Sequence, residues 1–179
     1  MKILHLATGG TISGCVPEYH EIENIAEIFL DYIDIGKYIV YSMKANCEYE
    51  FVKICHKDSR EILNIDRQRI VDEIEKGYKN GVKLFLITHG TYTMPETGKY
   101  IEERLDKETL KNISVVITGS MYPWNIFGSD APMNIGASIS SLLNAENAIG
   151  VKICMHGKNW NVNNIEKDVD KLIFQEITK

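Results

Sequence analysis

An α/β domain with a mostly parallel sheet and helices on both faces is the fold class this sequence predicts, on three observations. Short apolar runs alternate along the chain with stretches of helical period. The runs are continuously apolar rather than alternating, as in strands buried on both faces. Several of them end in glycine beside a hydroxyl residue, which is turn chemistry. In such sheets ligands bind beyond the carboxyl ends of the strands, so those turns are where function is sought.

The first strand, Ile3-Leu4-His5-Leu6-Ala7, breaks at Thr8-Gly9-Gly10-Thr11-Ile12-Ser13-Gly14. Gly9 and Gly10 permit positive φ and close backbone approach, leaving Thr11 at the strand end near N–H groups able to polarise a bound carbonyl. A polar loop follows, with Pro17, Tyr19 and His20; then Ile25, Ile28, Phe29, Tyr32 and Ile33 recur at helical spacing as far as Gly36. Tyr38 to Met43 and Tyr49 to Cys55 read as strands, the second leading into His56-Lys57-Asp58-Ser59-Arg60. Asn64 or Asp66 caps a helix whose Ile70, Ile74 and Tyr78 share one face and which stops near Gly81.

Lys83 to Thr88 reads as a buried parallel strand, although periodicity alone does not separate it from a buried helix segment. It ends at His89-Gly90-Thr91-Tyr92-Thr93-Met94-Pro95-Glu96-Thr97, and a helix follows to about Leu105. The strand Ser114 to Thr118 ends at Gly119-Ser120-Met121-Tyr122-Pro123, and a long loop leads to a small-residue helix from about Met133 to Ala145. Val151 to Met155 is the last clear strand; His156 to Asn164 is a polar tail, and the class of the C-terminal segment stays open.

Composition narrows the functional classes. At 179 residues the chain fits one domain, and its apolar and charged fractions are those of a globular protein. A net charge of −5 with scattered Lys and Arg argues against nucleic acid as partner. No run approaches the ~20 apolar residues that span a bilayer, and Met1-Lys2 leads directly into the first strand, so a cytoplasmic chain with no membrane partner is expected. The four cysteines have no C-x-x-C spacing and are expected reduced. The five histidines show no metal-ligand spacing, so neither a metal nor a cofactor is expected.

The expected strand-end constellation is Thr11, Asp58-Ser59, Thr91, Ser120 and Lys167, with no nucleophile elbow and no phosphate-binding loop. A threonine hydroxyl needs a nearby base or lysine to become a nucleophile, so a Thr and a Lys in one cleft suit amide cleavage.

Three motifs together carry a family resemblance: Ala7-Thr8-Gly9-Gly10-Thr11-Ile12; Ile87-Thr88-His89-Gly90-Thr91 with Thr93-Met94 and Glu96-Thr97; and Gly119-Ser120-Met121 with Pro123, Ser129-Asp130, Pro132 and Asn134. In order and approximate spacing they resemble the bacterial-type L-asparaginase family. The resemblance implies a three-layer, Rossmann-like domain over residues 1–179, matching the family's amino-terminal domain without its smaller carboxy-terminal one. It implies cleavage of a small side-chain amide, asparagine by default, to acid plus ammonia through a threonine acyl-enzyme. Thr11 matches the primary nucleophile, Tyr19 lies in the loop that supplies an assisting tyrosine, Thr91 matches the second catalytic threonine, and Lys167 falls where the lysine activating it is found. Gly10, Asp58, Ser59, Gly90, Tyr92 and Ser120 fall at substrate-binding positions. A homodimer or homotetramer is implied as well.

Two departures bear on the substrate. The family's Thr-Asp-Thr is Thr91-Tyr92-Thr93 here, replacing the carboxylate that pairs with the substrate's α-ammonium by a phenol, and its Met-Arg-Pro is Met121-Tyr122-Pro123. A catalytically silent module that keeps the pocket for a small metabolite or a protein partner is therefore the competing expectation. A nucleotide-binding domain ranks last, because the glycine-rich dinucleotide fingerprint is missing.

Overall fold

The computed structural model describes residues 1–14, 35, 39, 47–144 and 148–177. Among these, strands β1 (Lys2–Gly9), β2 (Glu48–Lys57), β3 (Leu84–Thr88), β4 (Ser114–Thr118), β5 (Gly150–Met155) and β6 (Lys158–Asn161) form one sheet in the order β2-β1-β3-β4-β5-β6. All neighbours are parallel except β6, which runs antiparallel to β5. A separate hairpin joins β7 (Ile165–Asp168) to β8 (Ile173–Glu176).

Helices α1 (Asn64–Lys79), α2 (Met94–Arg104), α3 (Lys107–Asn112) and α4 (Ala131–Leu143) connect the strands. Period two along each strand divides the core. Leu4, Leu6, Phe85, Ile87, Val115 and Ile117 face one way and pack with Ile70 and Ile74 of α1 and Met94 and Ile101 of α2. Ile3, Leu84, Leu86 and Val116 face the other way and pack with Ile135 and Leu142 of α4 and with Ile35 and Ile39. Helices therefore cover both faces, which is why β3 and β4 are buried throughout.

The order 2-1-3-4-5 places the topological switch between β1 and β3, because the chain leaves β1 toward one edge and returns to build toward the other. The turns after β1 and β3 therefore flank the crevice that such a sheet offers a ligand.

Several elements differ from expectation. Tyr38 to Met43 reads as a strand, yet Ile39 is helical; it and Ile35, four residues apart, are both buried on the same side of the sheet, so helical period overrides β-branched propensity. The rest of that run, most of the helix expected up to Gly36, and Tyr19 lie outside the described residues. Neither Asn64 nor Asp66 is the α1 N-cap. Leu63 holds that position, and Asp66 acts from the first turn, its carboxylate accepting from the Leu63 N–H (2.9 Å) and from Lys57 Nζ (2.7 Å). The short α3, capped by Asp106, was not expected from the sequence. The polar tail after Met155 contains β6: His156 and Gly157 both have positive φ, as a two-residue hairpin requires, and return the chain onto the sheet edge.

Candidate active site

The two threonine-bearing turns meet through their backbones. Gly10 has φ 78°, and a Cβ placed on it would stand 2.4 Å from both the Cα and the N of Gly90. Only glycine meets both conditions. The Gly10 N–H donates to the Lys57 carbonyl (3.0 Å), so Gly10 supplies close approach rather than a spare donor. Thr11 follows directly, half-buried, in a single 3₁₀ turn over Thr11–Ser13. On the β3 side, a Cβ on Gly90 would lie 2.8 Å from Ser59 Oγ, so the turn after β2 is pressed against the same place.

The Ser59 turn is bonded to the turn after β3. Ser59 is buried; its hydroxyl accepts from the Tyr92 N–H (3.1 Å) and its carbonyl accepts from the Thr93 hydroxyl (2.6 Å). Beside it, Asp58 is gripped by Arg60, whose Nε donates to Oδ1 (2.9 Å) and whose Nη2 donates to Oδ2 (2.8 Å). The Arg60 N–H also donates to Oδ1 (2.8 Å), capping the 3₁₀ turn Ser59–Glu61. The guanidinium above all, and that N–H, hold the Asp58 carboxyl below the ordinary range against the opposing effect of partial burial.

Thr91, 4% exposed, accepts a 2.8 Å hydrogen bond from Lys167 Nζ. Lys167 reaches it from β7, seventy-six residues along the chain. Burial lowers the lysine pKa, the Arg60 charge lowers it further, and Asp58 partly opposes both. The arrangement pairs a buried hydroxyl with an amine that releases its proton more readily than an exposed lysine.

Tyr92 lies against both cations. Lys167 Nζ is 3.8 Å and Arg60 Cζ 4.7 Å from its ring centroid, and the side chain remains 40% exposed.

Behind these groups His89 is fully buried, with Nδ1 hydrogen-bonded to the Gly90 carbonyl (2.7 Å) and Nε2 to Thr97 Oγ1 (2.9 Å), which in turn accepts from Arg67 Nε (3.2 Å). Ser120 is fully buried and its hydroxyl donates to the Tyr122 carbonyl, so that proton is already committed. Asp130 accepts from the Met121 N–H (3.0 Å) and from Asn134 Nδ2 (2.9 Å). Asn134 also donates to the Gly119 carbonyl (3.0 Å) and accepts from the His156 N–H (3.1 Å), joining the turns after β4 and β5.

Gly10, Asp58, Ser59, Gly90, Thr91, Tyr92 and Lys167 thus gather around the ends of β1, β2 and β3, with Thr11 leaving the same turn as Gly10. Tyr19 lies outside the described residues. Arg60 was missed as a site residue, although its spacing from Asp58 across one residue was a signal for a local ion pair. At the opposite end of the strands, an apolar hollow of about 380 Å³ lined by Met1, Leu84, Ile113 and Ile149 offers no comparable grouping.

A family model described as asparaginase, N-terminal, matches residues 2–171. The chain belongs to the asparaginase family. The glutaminase-asparaginase of Acinetobacter glutaminasificans is 33% identical over 113 residues, which are 62% of this chain and 31% of that protein. Among solved asparaginase structures, a probable cytoplasmic L-asparaginase from Campylobacter jejuni superposes with a TM-score of 0.74 at 26% identity, over 93% of this chain and 48% of that one. The thermostable L-asparaginase from Thermococcus kodakarensis gives 0.75 at 25% identity, over 99% and 51%. The chain thus spans about half the length of the asparaginase structures it matches. No helix among the described residues is long and apolar enough to cross a membrane.

Proposed function

We propose that this asparaginase-family chain is an amidohydrolase that converts a small side-chain amide to the acid and ammonia. The observation that carries the reading is the 2.8 Å bond from Lys167 Nζ to Thr91 Oγ1 at the switch point of the sheet. Thr11, on the turn that abuts Gly90, attacks the amide carbon; the carbon–nitrogen bond breaks, and ammonia leaves with a proton. Water then cleaves the resulting ester and returns the Thr11 hydroxyl. Thr91 and Lys167 are the proton-handling pair: the neutral amine accepts a proton through the Thr91 hydroxyl and gives it back within the cycle. Tyr19 assists Thr11 in this proposal, on the strength of the family resemblance alone. In this reading the chain is cytoplasmic and works as a homodimer or homotetramer, without metal or cofactor, with residues 1–179 forming one domain.

The test is ammonia release by the purified chain from asparagine, glutamine and related amides. Turnover that Thr11→Ala abolishes supports the proposal. A folded wild-type chain that releases no ammonia from any amide supports a silent binding module instead. Light scattering at micromolar concentration tests the oligomer, and a monomer contradicts it.

A further inference from the structure

The charges around Tyr92 define what the far end of a substrate must carry. Arg60 and Lys167 both stand against its ring, at 4.7 and 3.8 Å. The carboxylate beside them belongs to Asp58, and both of its oxygens are taken by Arg60. Other acids of the neighbouring turns are also engaged: Asp66 by Lys57 and the Leu63 N–H, Asp130 by the Met121 N–H and Asn134. The groups placed against the Tyr92 ring are thus both basic; Asp58 is already bound to Arg60, and Glu61, on the same 3₁₀ turn, is exposed to solvent. Placing an ammonium there sets like charges together without a partner, which costs several-fold to many-fold in affinity. An anion meets the opposite situation. Arg60 engages Asp58 through Nε and Nη2, while its other terminal nitrogen has no protein partner among the described residues. A second carboxylate suits that planar donor set.

We infer that the site takes the monoamide of a dicarboxylic acid lacking an α-ammonium group, with Arg60 binding its free carboxylate and Tyr92 excluding the amino acid. The inference deepens the amidohydrolase reading and rests on it for turnover, while the ligand class itself is measurable by binding. Chemically, amide plus water gives dicarboxylate plus ammonia, with no redox change.

The experiment compares succinamate with asparagine as substrates, and succinate with aspartate as ligands by calorimetry, on the whole chain. Succinamate is expected to have a kcat/KM at least about tenfold above that of asparagine, since a site lacking a partner for a charged group discriminates strongly. Arg60→Gln should lower kcat/KM for succinamate about tenfold and weaken succinate binding by a similar factor, and Tyr92→Asp should shift the preference toward asparagine. Asparagine cleaved as well as or better than succinamate overturns the inference and leaves the amidohydrolase reading standing. Neither amide cleaved, with succinate bound more tightly than aspartate, overturns that reading and supports the ligand class. Neither amide cleaved and no preference for succinate overturns both.

Discussion

Lys167 Nζ and Thr91 Oγ1 are 2.8 Å apart although seventy-six residues separate them in the chain. The contact exists because the β7–β8 hairpin returns the chain beneath the turn after β3. Partial burial and the Arg60 charge lower the lysine pKa below its ordinary value, so this amine gives up its proton more readily than an exposed lysine does.

The pair is expected to behave as a unit. Thr91→Val and Lys167→Met should each lower kcat by roughly 10²–10⁴-fold, the usual contribution of a positioned acid–base group. The double variant should be no slower than the worse single one, because removing either partner already disables the other. Steady-state rates of the four proteins in a double-mutant cycle check this; multiplicative losses contradict it.

Gly10→Ala should damage the fold and the site together. The substitution puts a side chain at φ 78°, where L residues are strained, and drives its Cβ to 2.4 Å from Gly90. Backbone strain and overpacking each cost about 1–3 kcal/mol. A loss of at least about 2 kcal/mol in urea denaturation is expected, with activity falling beyond what the unfolded fraction explains. The turns carrying Thr11 and Thr91 cannot move apart without altering their geometry.

Stability should fall as the solution is acidified through the histidine range. His5, bonded to Tyr49 and to Thr88 Oγ1 (2.8 Å), and His89 are fully buried, and burial lowers their pKa values to about 3 and about 4. Between the unfolded value of 6.5 and these folded values, the unfolded chain binds more protons than the native one, so stability rises with pH. The contribution is complete above pH 6.5 and declines on the way down toward pH 4. Each histidine should account for on the order of 2 kcal/mol by pH 4.5. The carboxyls of Asp58, Asp66, Asp106 and Asp168, held below the ordinary value of 3.8, add their own loss chiefly below that value, beneath the pH at which the histidine effect is read. Urea midpoints at pH 7 and 4.5 measure the slope, which His89→Gln should reduce.

Much of the fold was legible because the central strands announce themselves. Phe85-Leu86-Ile87 and Val115-Val116-Ile117 are buried on both faces and read as uninterrupted apolar runs. The β6 strand was not legible, since Lys158, Asn159 and Asn161 sit on a half-exposed edge where polar residues are tolerated. Ile39 misled for the opposite reason: one β-branched residue fits a strand locally, and only its partnership with Ile35 shows the helix. At the site, Thr11 and Thr91 stood out through their glycines. Arg60 did not, because its importance comes from Tyr92, thirty-two positions away, and from the fold that brings Lys167 to the same ring.

The pH dependence of kcat/KM, compared between wild type and Lys167→Met, tests the central claim most directly. In the proposed mechanism the neutral form of Lys167 is the base, so the wild-type rate should rise with pH along a limb whose midpoint lies below the ordinary lysine value of 10.5. In Lys167→Met the residual rate should lose that limb. A limb that persists unchanged without Lys167, or a variant as fast as wild type at every pH, would contradict a role for this lysine as the base behind Thr91.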